Sequence, residues 1–153
     1  MVHTLLSRQV VTAHRDVVWD FFSNPRNLPQ VTPPGLDFQI LTADLPAAVY
    51  AGLMIAYRVR PLFRVPVTWL TEITQVQTGE YFIDEQRVGP YAVWHHEHHF
   101  HELPGGRIEM LDRITYVLPF GPAGNLVHPW LVQPQLNQIF AFRRAAVARL
   151  FPG

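Results

Sequence analysis

The stretch from Phe82 to His101 constrains this chain more than any other. It carries five of the eight histidines, all of them after Gly89-Pro90. A Gly-Pro pair between two β-forming runs marks a tight turn, so the stretch is predicted to be a long β-hairpin. Side chains alternate between the faces of a strand. One row is therefore Trp94, His96, His98 and Phe100, and the other is His95, Glu97, His99 and His101. Large aromatics cap the first row at both ends, whereas the second is wholly polar. The aromatic row is expected to face the interior, which sets two imidazoles in an otherwise apolar space. A register slip of one residue would exchange them for His95, Glu97 and His99.

The flanking segments add strands on one side and helices at the ends. His3 to Val11 is rich in β-formers. From Arg15 to Phe22 the pairs Val17/Phe21 and Val18/Phe22 recur at four residues, as in a short amphipathic helix. Asn24 followed by Pro25 can cap and start a second one. Leu36 to Leu41 is short and apolar. Leu53, Ile55, Tyr57 and Val59 then alternate with polar or smaller residues, as do Val67, Trp69, Thr71 and Ile73. Arg107 to Val117 returns as a last strand, with Met110, Asp112, Ile114 and Tyr116 on one face. Beyond Gly121-Pro122 the apolar spacing becomes helical, with Leu136, Ile139, Phe140, Val147 and Leu150 on one stripe from about Gln135 to Leu150. Pro129 and Pro134 argue against an unbroken helix from Ala123. Arg143, Arg144 and Arg149 read as its solvated, cationic C-terminal face.

With 153 residues the chain is expected to form one domain, residues 1–153. Formal charge is zero, so there is no basic stripe of the kind nucleic-acid binding needs. The absence of cysteine excludes disulfides, thiolate metal sites and a cysteine nucleophile. No run approaches membrane-spanning length and the first residues lack a signal-peptide pattern, so a cytoplasmic location is the expectation. The strand from Tyr91 to His101 would extend roughly 35 Å. Strands of that length joined by tight turns suit a strongly curved antiparallel sheet. Its concave apolar side needs a cover, and the terminal helix can supply one. Sheet and helix curve differently, which leaves a space between them suited to a ligand.

At this point the residues resemble a known family. The patterns are Phe21 to Leu28, Thr32-Pro33-Pro34, Phe82 to Gln86 with Gly89-Pro90-Tyr91, Trp94 to Phe100, Asp112 with Tyr116 to Gly121, and Ile139 to Arg143. Together they resemble the START-like superfamily, also called SRPBCC or polyketide cyclase/dehydrase-like, and within it a bacterial ligand-binding branch. The resemblance covers nearly the whole chain. It implies an α+β helix-grip fold, a curved seven-stranded antiparallel sheet around a C-terminal α-helix with two short helices after the first strand. It also implies an internal cavity for a small, largely apolar molecule, and no single reaction, because function lies in the site and not the fold. The proline-interrupted start of the terminal helix departs from the family's longer one.

Candidate ligand contacts are Tyr57, Trp69, Phe82, Gln86, Trp94, His96, His98, Phe100, Asp112, Tyr116, Ile139 and Phe140. His96, His98, Asp112, Gln86 and Tyr116 would orient a lipid-, polyketide- or quinone-like molecule. In an enzyme of the cyclase, dehydratase or isomerase kind, His96 or His98 would act as general base and Tyr116 or Asp112 as acid or oxyanion donor. Histidine suits that work because it titrates near neutrality. Against both stands a purely structural role, with the two histidines satisfied within the sheet or by Asp112 and Tyr116; Asp84 and Asp112 are their obvious charge partners. A third possibility is a protein-interaction domain with a filled core. The outer row His95, Glu97, His99 and His101 invites a metal, but same-face neighbours lie ~6.6 Å apart and only two would converge. No native metal or other cofactor is therefore expected. The partner is a small apolar molecule, with no nucleic acid, no integral membrane segment and the oligomeric state open.

Overall fold

The computed structural model describes residues 1–152. The chain begins with strand β1 (Val2–Thr12), helix α1 (Arg15–Ser23) and two 3-10 turns (Pro25–Val31 and Pro34–Leu36). Six strands follow: β2 (Gln39–Ile40), β3 (Met54–Val59), β4 (Val67–Gln77), β5 (Tyr81–Val88), β6 (Val93–Leu103) and β7 (Arg107–Val117). Helix α2 (Gly121–Val127), a π-helical turn (His128–Val132) and helix α3 (Gln133–Leu150) complete the chain. The strands form one seven-stranded sheet in the order β1-β7-β6-β5-β4-β3-β2, every neighbouring pair antiparallel. This is the α+β helix-grip arrangement, with the C-terminal helical segment against the sheet.

The local chemistry explains the start of the chain. The His14 ring accepts a bond from the Asp16 amide at the first turn of α1. Asn24 Oδ1 accepts the Arg26 amide at 3.1 Å, and Pro25 occupies the position where a missing amide costs nothing. Asn24 thus caps the helical turn expected after Pro25.

Strand alternation carries through to burial. Leu53, Ile55, Tyr57 and Val59 are buried, as are Ile108, Met110, Asp112, Ile114 and Tyr116. On β6 the buried row is Trp94, His96, His98 and Phe100. Across the pairings, His96 stands opposite Ile114 and Asp84, and His98 opposite Asp112 and Phe82. Two irregularities in the β4–β5 ladder, at Leu70/Thr71 and Ile73/Gln75, add bend next to Asp84. Gly89 closes the β5–β6 turn tightly: a Cβ there would meet the Gln86 side chain at 2.4 Å.

The terminal helix is longer than the sequence reading allowed. Helical backbone runs from Gly121 to Leu150, and the two prolines do not break it. Each proline lacks an amide and crowds the preceding turn. The wider π turn, which contains Pro129 and ends before Pro134, absorbs this, with the Gln133 amide reaching back to the His128 carbonyl. The buried face of α3 is Leu136, Phe140, Arg143, Ala146 and Val147. Leu150 lies exposed and Ile139 half-buried. Arg143 is therefore not part of a solvated face; it sits in the apolar stripe and is 8% exposed.

The core falls into two clusters. One contains Val18, Trp19, Ile55, Ile73, Phe82, Phe100 and Val147, and the other Trp94, Ile114, Tyr116, Leu136 and Phe140. On the concave rows of β6 and β7, the positions between them are His96, His98 and Asp112.

Candidate functional site

A cavity of about 430 Å³ lies between the concave sheet and the C-terminal helical segment. Strands β3 and β4 supply Ile55, Tyr57, Val59, Trp69, Thr71 and Ile73, and α3 supplies Leu136, Ile139, Phe140 and Arg143. Phe82 and Asp84 of β5 and Trp94, His96 and His98 of β6 complete its inner wall. The walls are thus mostly aliphatic and aromatic, and their ionisable groups cluster at one place.

That cluster is a closed circuit of charge. His96 Nε2 lies 3.0 Å from Asp112 Oδ1, and His98 Nε2 lies 2.6 Å from Asp84 Oδ2. Arg143 Nε approaches the other Asp112 oxygen at 3.3 Å. The Thr71 hydroxyl donates to Asp84 Oδ1 at 3.4 Å. The two imidazoles pack on each other with centroids 3.7 Å apart, and Phe82 stacks on the far side of His98 at 4.2 Å.

Burial alone would raise both aspartates. For Asp112 the Arg143 charge, the His96 hydrogen bond and the close approach of His98 outweigh it, so the carboxyl is held well below its ordinary range. For Asp84 the His98 hydrogen bond and the nearby imidazoles do the same. Burial would lower His98, but the nearby Asp112 carboxylate and the bond to Asp84 raise it. Burial and the charge of His98 lower His96, with the Asp112 bond only partly offsetting them. The surroundings thus favour the neutral form of His96 and the protonated form of His98. Because a carboxylate only accepts, His96 must donate from Nε2 to Asp112. Its Nδ1 keeps a lone pair, 3.8 Å from Asp84 Oδ2.

Of the residues proposed from sequence, Tyr57, Trp69, Phe82, Trp94, His96, His98, Ile139 and Phe140 line the cavity. Gln86, Phe100, Asp112 and Tyr116 do not. Gln86 Nε2 donates to the Tyr91 carbonyl at 2.7 Å and its Oε1 accepts the Tyr91 amide at 3.1 Å, so it clamps the β5–β6 turn. Phe100 packs edge-on against Trp19 in the α1 cluster. Asp112 lies behind the two histidines. Tyr116 does not reach them; its hydroxyl is hydrogen-bonded to His128 Nε2 at 2.6 Å. On the opposite face of β6, His95 pairs with Glu85 at 2.8 Å and His99 with Glu97 at 2.9 Å.

Sequence reasoning missed two members of the site. Thr71 was read only as one of an alternating row. Arg143 was read as solvated, although it stands three residues after Phe140 and four before Val147, the spacing of a buried helical face. That spacing was the available signal.

No protein-family model matches the chain, and neither does any curated protein sequence. Solved structures do match. A START superfamily protein from Mycobacterium smegmatis superimposes with a TM-score of 0.71 at 13% identity, covering 97% of this chain and 99% of that one. The Zhui aromatase/cyclase from Streptomyces sp. R1128 gives 0.69 at 14% identity, covering 98% and 96%. Ara h 8.0201 gives 0.65 at 13% identity, covering 97% and 99%. Sheet order, terminal helix and the cavity between them define a helix-grip domain. Its particular version is the START-like fold, shared with these proteins over nearly the full length of each.

Proposed function

We propose that this chain is a cytoplasmic binding protein for one small hydrophobic or aromatic molecule, held in the cavity between the sheet and the C-terminal helix. The observation that carries the reading is an interior space of about 430 Å³ with apolar walls and one polar cluster. Cavities of roughly 300–1,000 Å³ with a few convergent polar groups suit drug-sized ligands. Burial of the ligand's apolar surface would contribute about 25 cal/mol per Å² before the costs of association. His96, His98 and Asp84 would orient a carbonyl, hydroxyl or carboxylate, in a lipid-, polyketide- or quinone-like molecule. The filled-core reading finds no support in a space of this size.

A second reading is favoured by one specific observation: His96 Nδ1 is an unbonded acceptor beside the cavity, on a ring oriented from behind by Asp112. That arrangement suits a general base in an enzyme of the cyclase, dehydratase or isomerase kind. Tyr116 and Asp112 are then not the acid, because neither reaches the cavity; the phenols that do are Tyr57 and Tyr91.

Native mass spectrometry of freshly purified protein, followed by spraying it denatured, tests the binding reading. A mass excess equal to one small organic molecule, lost on denaturation, is expected. Anilinonaphthalene sulfonate should compete with it and quench the fluorescence of Trp69 and Trp94. A bare chain mass together with no dye binding would overturn the proposal.

A further inference from the structure

The polar cluster has the arrangement of a metal centre turned toward the cavity. Among the described residues, Asp84, His96 and His98 are the one group of three such side chains whose ligating atoms all lie within 4.8 Å of one another. They come from adjacent strands, β5 and β6, and all three line the cavity. Asp84 Oδ2 is 3.8 Å from His96 Nδ1 and 2.6 Å from His98 Nε2. Bonds of about 2.0–2.2 Å to one ion put tetrahedral ligand atoms a little over 3 Å apart. The first gap would close and the second would open, each by under about 1 Å.

The groups behind these three are the stronger argument. A ligating histidine ordinarily gives its other ring nitrogen to a carboxylate, which fixes the tautomer and aims the ligating lone pair. Here one carboxylate oxygen serves both rings: Asp112 Oδ1 lies 3.0 Å from His96 Nε2 and 3.1 Å from His98 Nδ1. The second contact lacks hydrogen-bond alignment, leaving His98 Nδ1 a buried polar atom without a bonded partner. Rotation of the ring away from Asp84, the motion that opens room for an ion, changes this contact as well. Asp112 is in turn anchored by Arg143, and Asp84 Oδ1 by the Thr71 hydroxyl. His96 and Asp84 thus each have a bonded backing group, Asp112 approaches His98 without a bond, and none of these contacts consumes His96 Nδ1.

We infer that Asp84, His96 and His98 bind one divalent transition-metal ion of the zinc type at the inner wall of the cavity, with Asp112, Arg143 and Thr71 positioning the ligands. Two nitrogens and one oxygen suit borderline ions such as zinc, cobalt or iron(II) and not magnesium or calcium. Three protein ligands leave a coordination position open to the cavity, as in catalytic and not structural zinc sites. Two carboxylates, one guanidinium, two neutral imidazoles and a dication sum to one positive charge. An anionic oxygen from the cavity (a phenolate, enolate or carboxylate) would neutralise it. The lone pair that serves as a base in the enzymatic reading is a ligand here.

The test uses the full chain stripped with a chelator and then titrated with Co²⁺ alone, so it does not depend on any organic ligand. Failure here leaves the binding reading standing. One equivalent is expected to bind with visible absorption bands. Paramagnetic effects on the NMR signals should be strong at Ile139 and Phe140, the latter ring lying 6.0 Å from the His96 ring. Combined replacement His95→Gln, His99→Gln and His101→Gln on the outer face should leave uptake unchanged. Asp84→Asn should weaken it by on the order of 100-fold, and Thr71→Val by roughly tenfold. The NMR readout needs no variant, so misfolding of Asp84→Asn cannot obscure the result. The inference is overturned if the wild-type chain takes up no stoichiometric ion, or if uptake vanishes in the outer-face variant while Ile139 and Phe140 signals stay unperturbed.

Discussion

Asp112 shows how much one side chain can carry when it is out of water. It is 6% exposed and meets two imidazoles and a guanidinium. Removing one partner of a buried ion pair leaves a charge without compensation, at a cost of about 3–5 kcal/mol. Arg143→Met, which keeps an apolar stem and removes the guanidinium, is expected to lose that much in urea unfolding. A loss below about 1 kcal/mol would mean that Arg143 behaves as an exposed cation despite its burial. Gln86 makes the opposite point. Its amide is spent on the Tyr91 backbone, so Gln86→Ala should cost about 1–2 kcal/mol of stability through two lost bonds. Dye binding in the cavity should be unchanged. Weakened dye affinity at unchanged stability would return Gln86 to the ligand site.

Among the elements, the strands were readable and the terminal helix only partly so. Alternation on β3, β6 and β7 identified the buried rows because period two has only two solutions, and aromatic caps chose between them. Pro129 and Pro134 misled because their local effect is to stop a helix, whereas the molecule answers with one wide turn packed against the sheet. Partners far apart in sequence hold that segment. His128 is hydrogen-bonded to Tyr116 and stacks at 3.8 Å on His3, whose ring bonds Asn125 of α2 at 3.0 Å. Partial burial and the proximity of His3 lower the His128 pKa below the ordinary 6.5. A histidine lowered in the fold favours its neutral form there. Its contribution is complete above the ordinary value and is lost as pH falls through the lowered one. Amide NMR signals of residues 121–132 should therefore shift together as pH falls below the ordinary value of 6.5. Tyr116→Phe, which deletes the hydroxyl, should flatten that dependence. An equal transition in the variant would show that the Tyr116–His128 bond does not hold the segment.

At the scale of the molecule, the cavity was legible as a consequence of curvature, and the composition of its polar cluster was not. Asp84, His96, Asp112 and Arg143 come from three strands and a helix. Only the sheet register and the depth of α3 bring them together, and neither is a local property of sequence. The same architecture leaves a space that the chain's own side chains do not fill, so the empty protein forgoes packing contacts that a ligand can supply. A ligand bound only by the folded state adds stability of RT ln(1 + [L]/Kd), about 2.7 kcal/mol at a hundredfold excess over Kd. For a domain of this size, that corresponds to a rise in Tm of roughly 5–11 °C. Protein stripped of ligand on a hydrophobic column should melt lower than protein as purified, by an interval in that range. Ile139 lines the cavity from a half-buried position on α3, so Ile139→Trp can enter the space without displacing the core. Stripped Ile139→Trp should melt at or above stripped wild type, and the interval between its stripped and unstripped forms should collapse. If the variant melts lower while keeping the full interval, the space it enters is not the one the ligand occupies, and the site must be sought elsewhere on the fold.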